Sequence, residues 1–202
     1  MGRYALKLAF ELAVVFVGVY AAFAVESFQR EREAEVRRQQ LQGALLREIE
    51  GITQNTRRAA LGTARLLAAY DSAWAVGGKP PLQPMIEPIR FQTHMWEATL
   101  ASGALDLLEV PTVYRLSEFY NELNAGFEQL AQLRQLSESM LLPQMGNPEA
   151  LYDPATGRLR PQYRWYVGGL ENLRAKAEQI TVLGDSLLAD LDAPGDDALD
   201  LP

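Results

Sequence analysis

Residues 5–25 read ALKLAFELAVVFVGVYAAFAV, and residues 26–33 continue directly as ESFQRERE. A helix of this length rises about 31 Å, which matches the roughly 30 Å hydrocarbon core of a lipid bilayer. No later stretch of the sequence has a comparable apolar run, because its apolar residues recur every three or four positions with charged residues between them. The sequence therefore predicts a single-pass protein with one transmembrane anchor at residues 1–25.

A cleaved signal peptide is the alternative interpretation of the same segment. Arg3 and Lys7 form a basic start, and Ala22-Phe23-Ala24 has the spacing of small residues that precedes a cleavage site. However, the apolar region of a signal peptide spans about 7 to 15 residues, and this one is longer. The anchor is favoured because the residues after Phe28 are strong helix formers without Gly or Pro, so the helix is expected to continue.

Glu11 is the costly residue of the predicted anchor, because a carboxylate in hydrocarbon is unfavourable by a few kcal/mol. Lys7 lies one helical turn earlier, so an ion pair at the membrane interface is one interpretation. The other is a contact with a second transmembrane helix, and Gly18 and Ala22 supply the small-residue spacing that lets helices approach closely. The predicted partners are the lipid bilayer, other membrane protein subunits and, as an open alternative, a second copy of this chain.

The predicted location is the bacterial inner membrane, with the domain after the anchor expected in the periplasm. Basic residues flank both sides of the anchor, at Arg3 and Lys7 before it and at Arg30 and Arg32 after it. Because orientation follows the distribution of Lys and Arg, the sequence leaves the side of the membrane open.

Composition excludes several classes of function. The 202 residues have a net charge of −7, no cysteine and one histidine, His94. Disulfide frameworks, thiol chemistry and multi-histidine metal sites are thereby excluded, and the acidity argues against a nucleic-acid partner. His94 and Glu97 form one H-x-x-E pair, which is insufficient for a di-iron centre. We expect no enzymatic activity, no catalytic residue and no cofactor.

The rest of the chain predicts an all-α fold. Residues 26–44 are almost wholly polar and predict a helical stalk, residues 45–192 predict an antiparallel helical bundle, and residues 193–202 predict a disordered acidic tail. Two long apolar stripes have heptad spacing. They are Leu45, Ile49, Ile52, Thr56, Ala59, Thr63, Leu66, Tyr70 and Ala73, and Tyr163, Tyr166, Leu170, Leu173, Ala177, Ile180, Gly184, Leu187 and Leu191.

Arginines alternate with aromatic residues near the start of the last predicted helix. Arg158, Arg160 and Arg164 lie close to Trp165, which we expect to be the outward-facing aromatic. Arginine and aromatic side chains are enriched at protein interfaces, so these four residues predict a partner-binding surface. An ordinary loop leading into a helix is the alternative.

Three segments carry a resemblance to a known family: VVFVGVYAAFAVESFQRERE after Glu11, MWEATLASGALDLL at residues 95–108 and LSEFYNELN at residues 116–124. They resemble a bacterial domain-of-unknown-function family of single-pass membrane proteins. The resemblance implies an N-terminal transmembrane helix containing a glutamate, a cytoplasmic N-terminus and an exported helical domain. It implies no activity.

Two functional hypotheses follow from these observations. The first is a membrane-anchored scaffold or accessory subunit of a membrane protein complex. The second is a membrane-tethered sensory or ligand-binding bundle without a return transmembrane helix of its own.

Overall fold

The computed structural model describes residues 2–85 and 93–192, with side chains for residues 16–85 and 93–191. It contains four α-helices: α1 (Gly2–Ala75), α2 (His94–Ser102), α3 (Val110–Leu136) and α4 (Trp165–Asp192). Within these described ranges the one β feature is an isolated bridge between Tyr152 and Leu159. The predicted all-α fold is confirmed.

The three long helices pack with alternating directions. Gly184 lies against Thr53, and the Thr181 hydroxyl lies 3.1 Å from that of Thr56, so the contacts move back along α4 as α1 advances. Arg115 near the start of α3 pairs with Asp190 near the end of α4. Helix α4 therefore runs antiparallel to both α1 and α3, whereas α1 and α3 run parallel to each other.

Two hydrophobic clusters fill the bundle. The first lies where α1, α2, α3 and the end of α4 meet, and the second lies where the end of α1 meets the chain around residues 141–170. Buried residues of the first cluster are Leu45, Ile49, Ile52, Trp96, Leu108, Leu116, Phe119, Tyr120, Leu123, Ile180 and Leu187. Those of the second are Leu67, Leu82, Leu141, Leu151, Tyr152, Leu159, Tyr163, Tyr166 and Leu170.

The buried face of α1 is wider than the heptad stripe predicts. Thr53, Ala60 and Leu67 are buried although they lie outside that stripe, whereas Ala59 and Leu66 are only half-buried. A helix that packs on two neighbours buries a broader arc than one that forms a single two-helix seam. Here the arc is broad because α1 packs mainly on α4 and also contacts α2 and the short helical turn that follows α2.

Glycine and proline residues lie at the end of α1 and at the start of α3. Helix α1 ends before Gly77, whose φ of 72° is the left-handed conformation common after a helix. Pro111 lies in the first turn of α3, where its missing N–H costs no hydrogen bond. The regular part of α3 ends at Leu136, and the chain passes into a π-turn, Ser137–Leu141.

Helix α1 extends far beyond the bundle. Its 74 residues correspond to a length of about 110 Å. Residues 16–34 are exposed on all sides, including large apolar side chains such as Phe16 at 76% and Tyr20 at 77%. The following polar segment is helical and forms ion pairs along its own surface, for example between Glu26 and Arg30 and between Glu33 and Arg37.

Across the residues that the structure describes, none of the helices combines the length and apolar character needed to cross a membrane. The transmembrane prediction for residues 1–25 includes residues 1–15, whose side chains lie outside the described ones. The predicted disordered tail, residues 193–202, also lies outside the described residues.

Candidate functional site

A short hairpin at residues 151–160 positions the first arginine of the predicted patch. The backbone N–H of Asp153 donates to the carbonyl of Arg158 at 2.8 Å, and that of Arg160 donates to Leu151 at 3.0 Å. Gly157 has a φ of 68°, a conformation that favours glycine at this turn. The hairpin therefore holds Arg158 beside the end of α1.

Asp153 stabilises the turn of this hairpin. Its Oδ1 accepts hydrogen bonds from the backbone N–H groups of Ala155 at 2.8 Å and Thr156 at 3.0 Å. These bonds, that of Thr156 first, hold the pKa of the Asp153 carboxyl below its usual value. The charged form is therefore the one that orders the turn.

Substitution of Asp153 by alanine is expected to loosen the hairpin. Amide hydrogen exchange over residues 153–158 should accelerate by about 3- to 10-fold, because one modest local interaction is lost. In the unsubstituted protein, the lowered pKa means that the turn is fully ordered above the ordinary pKa of aspartate. That order should fade as pH falls through the lowered pKa.

Asp153→Asn provides the matched control, because an amide oxygen still accepts the backbone hydrogen bonds. Its exchange rate should lie near that of the unsubstituted protein and should vary less at acidic pH. Equal exchange in the alanine variant and the unsubstituted protein would contradict the assigned role of Asp153.

An open cleft of about 500 Å³ lies where the end of α1, the hairpin and the start of α4 meet. We call it the arginine cleft. Its walls are Tyr70, Trp74, Arg158, Leu159, Arg164, Val167 and Gly168. The structure thus brings together two of the predicted partner-binding residues and adds two aromatic residues from a helix some 90 positions earlier in the sequence.

The other two residues of the predicted patch have different places. The Nε of Arg160 donates to the backbone carbonyl of Tyr152 at 3.1 Å, so its guanidinium supports the hairpin. Trp165 is half-buried against the second hydrophobic cluster, and its ring meets that of Tyr166 edge-on at 6.0 Å. The expectation that Trp165 faces outward therefore differs from the structure, because α4 turns this side chain onto the cluster.

Buried tyrosines fix the segment after α1 beneath the arginine cleft. The hydroxyl of Tyr152 donates to the carbonyl of Pro80, and that of Tyr166 hydrogen-bonds both the N–H and the carbonyl of Gln83 at 3.2 Å. Burial is the main cause that raises the pKa of Tyr152 to about 12. Both tyrosines therefore remain neutral hydrogen-bond partners at physiological pH.

A second polar cluster lies inside the bundle at the start of α2. The Glu48 carboxylate accepts hydrogen bonds from the backbone N–H groups of Met95 at 2.8 Å and Trp96 at 3.3 Å. It also accepts one from the Tyr120 hydroxyl at 2.7 Å, and the Tyr120 ring stacks on Trp96 with centroids 4.9 Å apart. Burial first, and then Glu48, raises the pKa of Tyr120 well above its usual value.

This second cluster supports the fold. A carboxylate at the start of a helix satisfies backbone N–H groups that have no partner within the helix and meets the positive end of its dipole. Glu48 therefore attaches α2 to α1, while Tyr120 attaches α3 to the same carboxylate.

The predicted transmembrane-contact residues lie on the free end of α1. Gly18 and Ala22 are one helical turn apart and exposed. A Cβ added at Gly18 would have no described neighbouring atom within 4 Å. The side chain of Glu11 lies outside those that the structure describes. Among the side chains that the structure describes, none packs beside Gly18.

His94 begins α2 and is exposed, as expected for a residue at a helix start. Glu97 accepts a hydrogen bond from the Thr93 hydroxyl at 2.8 Å. In residues 2–85 and 93–192 no group of three or more acidic or histidine side chains could hold a metal ion.

The fold defines an all-helical bundle with one helix that extends far beyond it. No family model, curated protein or solved structure matches the chain. The resemblance to a domain-of-unknown-function family of single-pass membrane proteins therefore stays a prediction.

Proposed function

We propose that this chain is a non-enzymatic, membrane-anchored scaffold or accessory subunit of a bacterial membrane protein complex. One observation carries the proposal: α1 is a single helix that joins an exposed apolar end to a packed bundle. Large exposed apolar surfaces are typical of sites that meet a membrane or another protein. In this proposal residues 1–25 are the single transmembrane anchor.

The polar part of α1 determines how far the bundle stands from the membrane. About 20 residues separate Val25 from Leu45, the first residue of the hydrophobic core, and they correspond to about 30 Å of helix. Ion pairs along this segment, such as that between Arg37 and Glu33 at 3.1 Å, add modest support to the helix. The stalk acts as a spacer that holds the bundle at this height.

The anchor also supplies the contact with partner subunits in this proposal. Gly18 and Ala22 allow a second transmembrane helix to approach closely, and Glu11 offers a polar contact within the membrane. The partner is another membrane subunit, with a second copy of this chain as the alternative. The location is the bacterial inner membrane with the bundle in the periplasm, and a compartment-specific reporter fused after residue 202 tests the side.

Replacing Val17 and Val19 by arginine is expected to release the protein from membranes. Each arginine near the centre of an inserted helix is unfavourable by about 3 kcal/mol. After carbonate extraction, the membrane-bound fraction of the doubly substituted full chain should fall by at least 5-fold relative to the unsubstituted protein. The bundle should keep its melting temperature, because both side chains are exposed and remote from the core.

Ala34→Arg with Val36→Arg is the matched control, because both positions are exposed on the polar part of the same helix. This variant should remain in the membrane fraction. Release of both variants, or of neither, would overturn the proposed anchor.

Co-purification in mild detergent tests the scaffold role separately from the anchor. We expect Gly18→Leu with Ala22→Leu to remain membrane-bound but to lose its partner subunits, since the bulky side chains prevent close helix approach. Unchanged partners in this variant would contradict the proposed contact surface.

A further inference from the structure

We propose that the arginine cleft binds a small organic oxyanion, a carboxylate or phosphate attached to a planar apolar group. This inference goes beyond the scaffold role, and only its exclusion of a lipid headgroup rests on the proposed anchor. It concerns the end of the bundle that the proposed function leaves unused.

The two arginines of the cleft are available for an anion. Arg158 and Arg164 are exposed, and no described carboxylate lies within ion-pair distance of either one. The described lining residues include no Asp or Glu. A guanidinium presents paired N–H groups that match the oxygens of a carboxylate or phosphate, so two such groups in one cleft favour an oxyanion.

The aromatic residues define the remainder of the ligand. Tyr70 and Trp74 lie one turn apart on α1, and Trp74 is 40% exposed at the mouth of the cleft. The cleft has two aromatic residues on one wall and Leu159 and Val167 on the others. This lining suits a ligand with a flat apolar body. The volume of about 500 Å³ lies within the range of small-molecule sites, which is about 300 to 1,000 Å³.

The position of the cleft argues against a lipid headgroup as the source of the oxyanion. Tyr70 lies 45 residues after Val25, which corresponds to about 68 Å along α1. The cleft is therefore at the end of the bundle farthest from the apolar part of α1. A soluble ligand can reach this position, whereas a headgroup in the membrane that holds the anchor cannot.

Four probes with one aromatic body test the proposal on the full chain in mild detergent. They are naphthalene-2-carboxylate, 2-naphthyl phosphate, the neutral 2-naphthamide and the cationic 2-naphthylmethylamine. Calorimetric titration should show binding of one or both anions and at least 10-fold weaker binding of the amide and the amine. The ratio between carboxylate and phosphate identifies the preferred oxyanion. Equal binding of anion and amide, or no anion binding at 5 mM, would overturn the proposal.

Variants separate the cleft from general charge effects. Arg158→Gln and Arg164→Gln should each weaken anion binding by at least 10-fold, whereas Arg58→Gln should not change it. Arg58 is an exposed arginine on α1 and lies about 18 Å from Tyr70 along that helix. Its only hydrogen bond among the described residues is to a backbone carbonyl. An equal loss in all three variants would overturn the assignment.

Gly168 allows the cleft to be filled without loss of charge. It lines the cleft, and a Cβ added at this position would have no described neighbouring atom within 4 Å. Gly168→Leu should keep the melting temperature and abolish anion binding. Full binding in this variant would contradict the site. If an acidic peptide bound more than 10-fold tighter than the naphthyl anions, the ligand of the cleft would be a protein partner, and the small-ligand proposal would be overturned.

Discussion

Replacing Gly184 by leucine is expected to lower the free energy of unfolding of the bundle by about 3 kcal/mol. An added Cβ at this position would lie 2.1 Å from the Thr53 Oγ1 and 3.1 Å from the Phe119 ring. Both neighbours are 1% exposed and belong to α1 and α3, so neither can move aside into solvent. The three long helices must separate to admit the side chain.

Thermal unfolding of the full chain in mild detergent measures this effect. A loss of about 3 kcal/mol corresponds to a fall in melting temperature of about 6–12 °C for a domain of this size. Gly62→Ala is the control, because Gly62 is exposed on α1 with nothing within 4 Å of an added Cβ. That substitution should stabilise the protein by up to about 1 kcal/mol through helix propensity.

Thr53→Ala provides a rescue that tests the contact itself. The Thr53 hydroxyl is buried without a hydrogen-bond partner, so its removal costs little and makes room at Gly184. Gly184→Ala should be less harmful in the Thr53→Ala background than alone. Additive effects of the two substitutions would show that these residues do not meet.

Replacing Glu48 by alanine is expected to lower the free energy of unfolding of the bundle by about 3 kcal/mol. The substitution removes the acceptor for two backbone N–H groups of α2 and for the Tyr120 hydroxyl, and hydrogen bonds to charged groups contribute about 1.5–3 kcal/mol each. Because Glu48 is only half-buried, water can hydrogen-bond some of the donors that lose the carboxylate, so the net loss of stability is smaller than the sum of these bonds. The melting temperature should fall, and the fluorescence of Trp96 should change as α2 detaches.

Glu48→Gln and Glu50→Ala are the matched controls. Glutamine keeps one oxygen acceptor and should lose about half as much stability. Glu50 is exposed and accepts one hydrogen bond from Gln54 at 3.2 Å, so its removal should change stability by less than about 0.5 kcal/mol. A double-mutant cycle of Glu48→Ala with Tyr120→Phe should show coupling of about 1 kcal/mol or more. Full additivity would contradict the shared hydrogen bond.

Local sequence patterns were sufficient for the helical character of the chain and for some of the helix ends. The stripe from Tyr163 to Leu191 predicted α4, and Gly77 and Pro111 marked the end of α1 and the start of α3. These features depend on residues within one or two turns, where apolar spacing and backbone conformation act directly. The wider burial on α1, at Thr53 and Ala60, was missed because it depends on how many neighbours pack against that helix.

The polar cluster around Glu48 had no signal in the sequence. Its partners lie 47 to 72 positions away, so no spacing rule joins Glu48 to Met95 or Tyr120. The arginine patch was found in part, since Arg164 lies between Tyr163 and Trp165 in the sequence and Arg158 lies five positions before Tyr163. Tyr70 and Trp74 could not be added, because they reach the cleft only through the antiparallel packing of α1 on α4.

The sequence by itself determined that this protein is helical, where α1 ends and α3 begins, and that one apolar segment precedes a polar one. These properties follow from the periodicity and backbone preferences of neighbouring residues. Only the tertiary structure decided which residues meet: Gly184 with Thr53, Glu48 with Tyr120, and Tyr166 with Gln83. Such contacts depend on the register between helices, which is set by side-chain packing across the whole bundle.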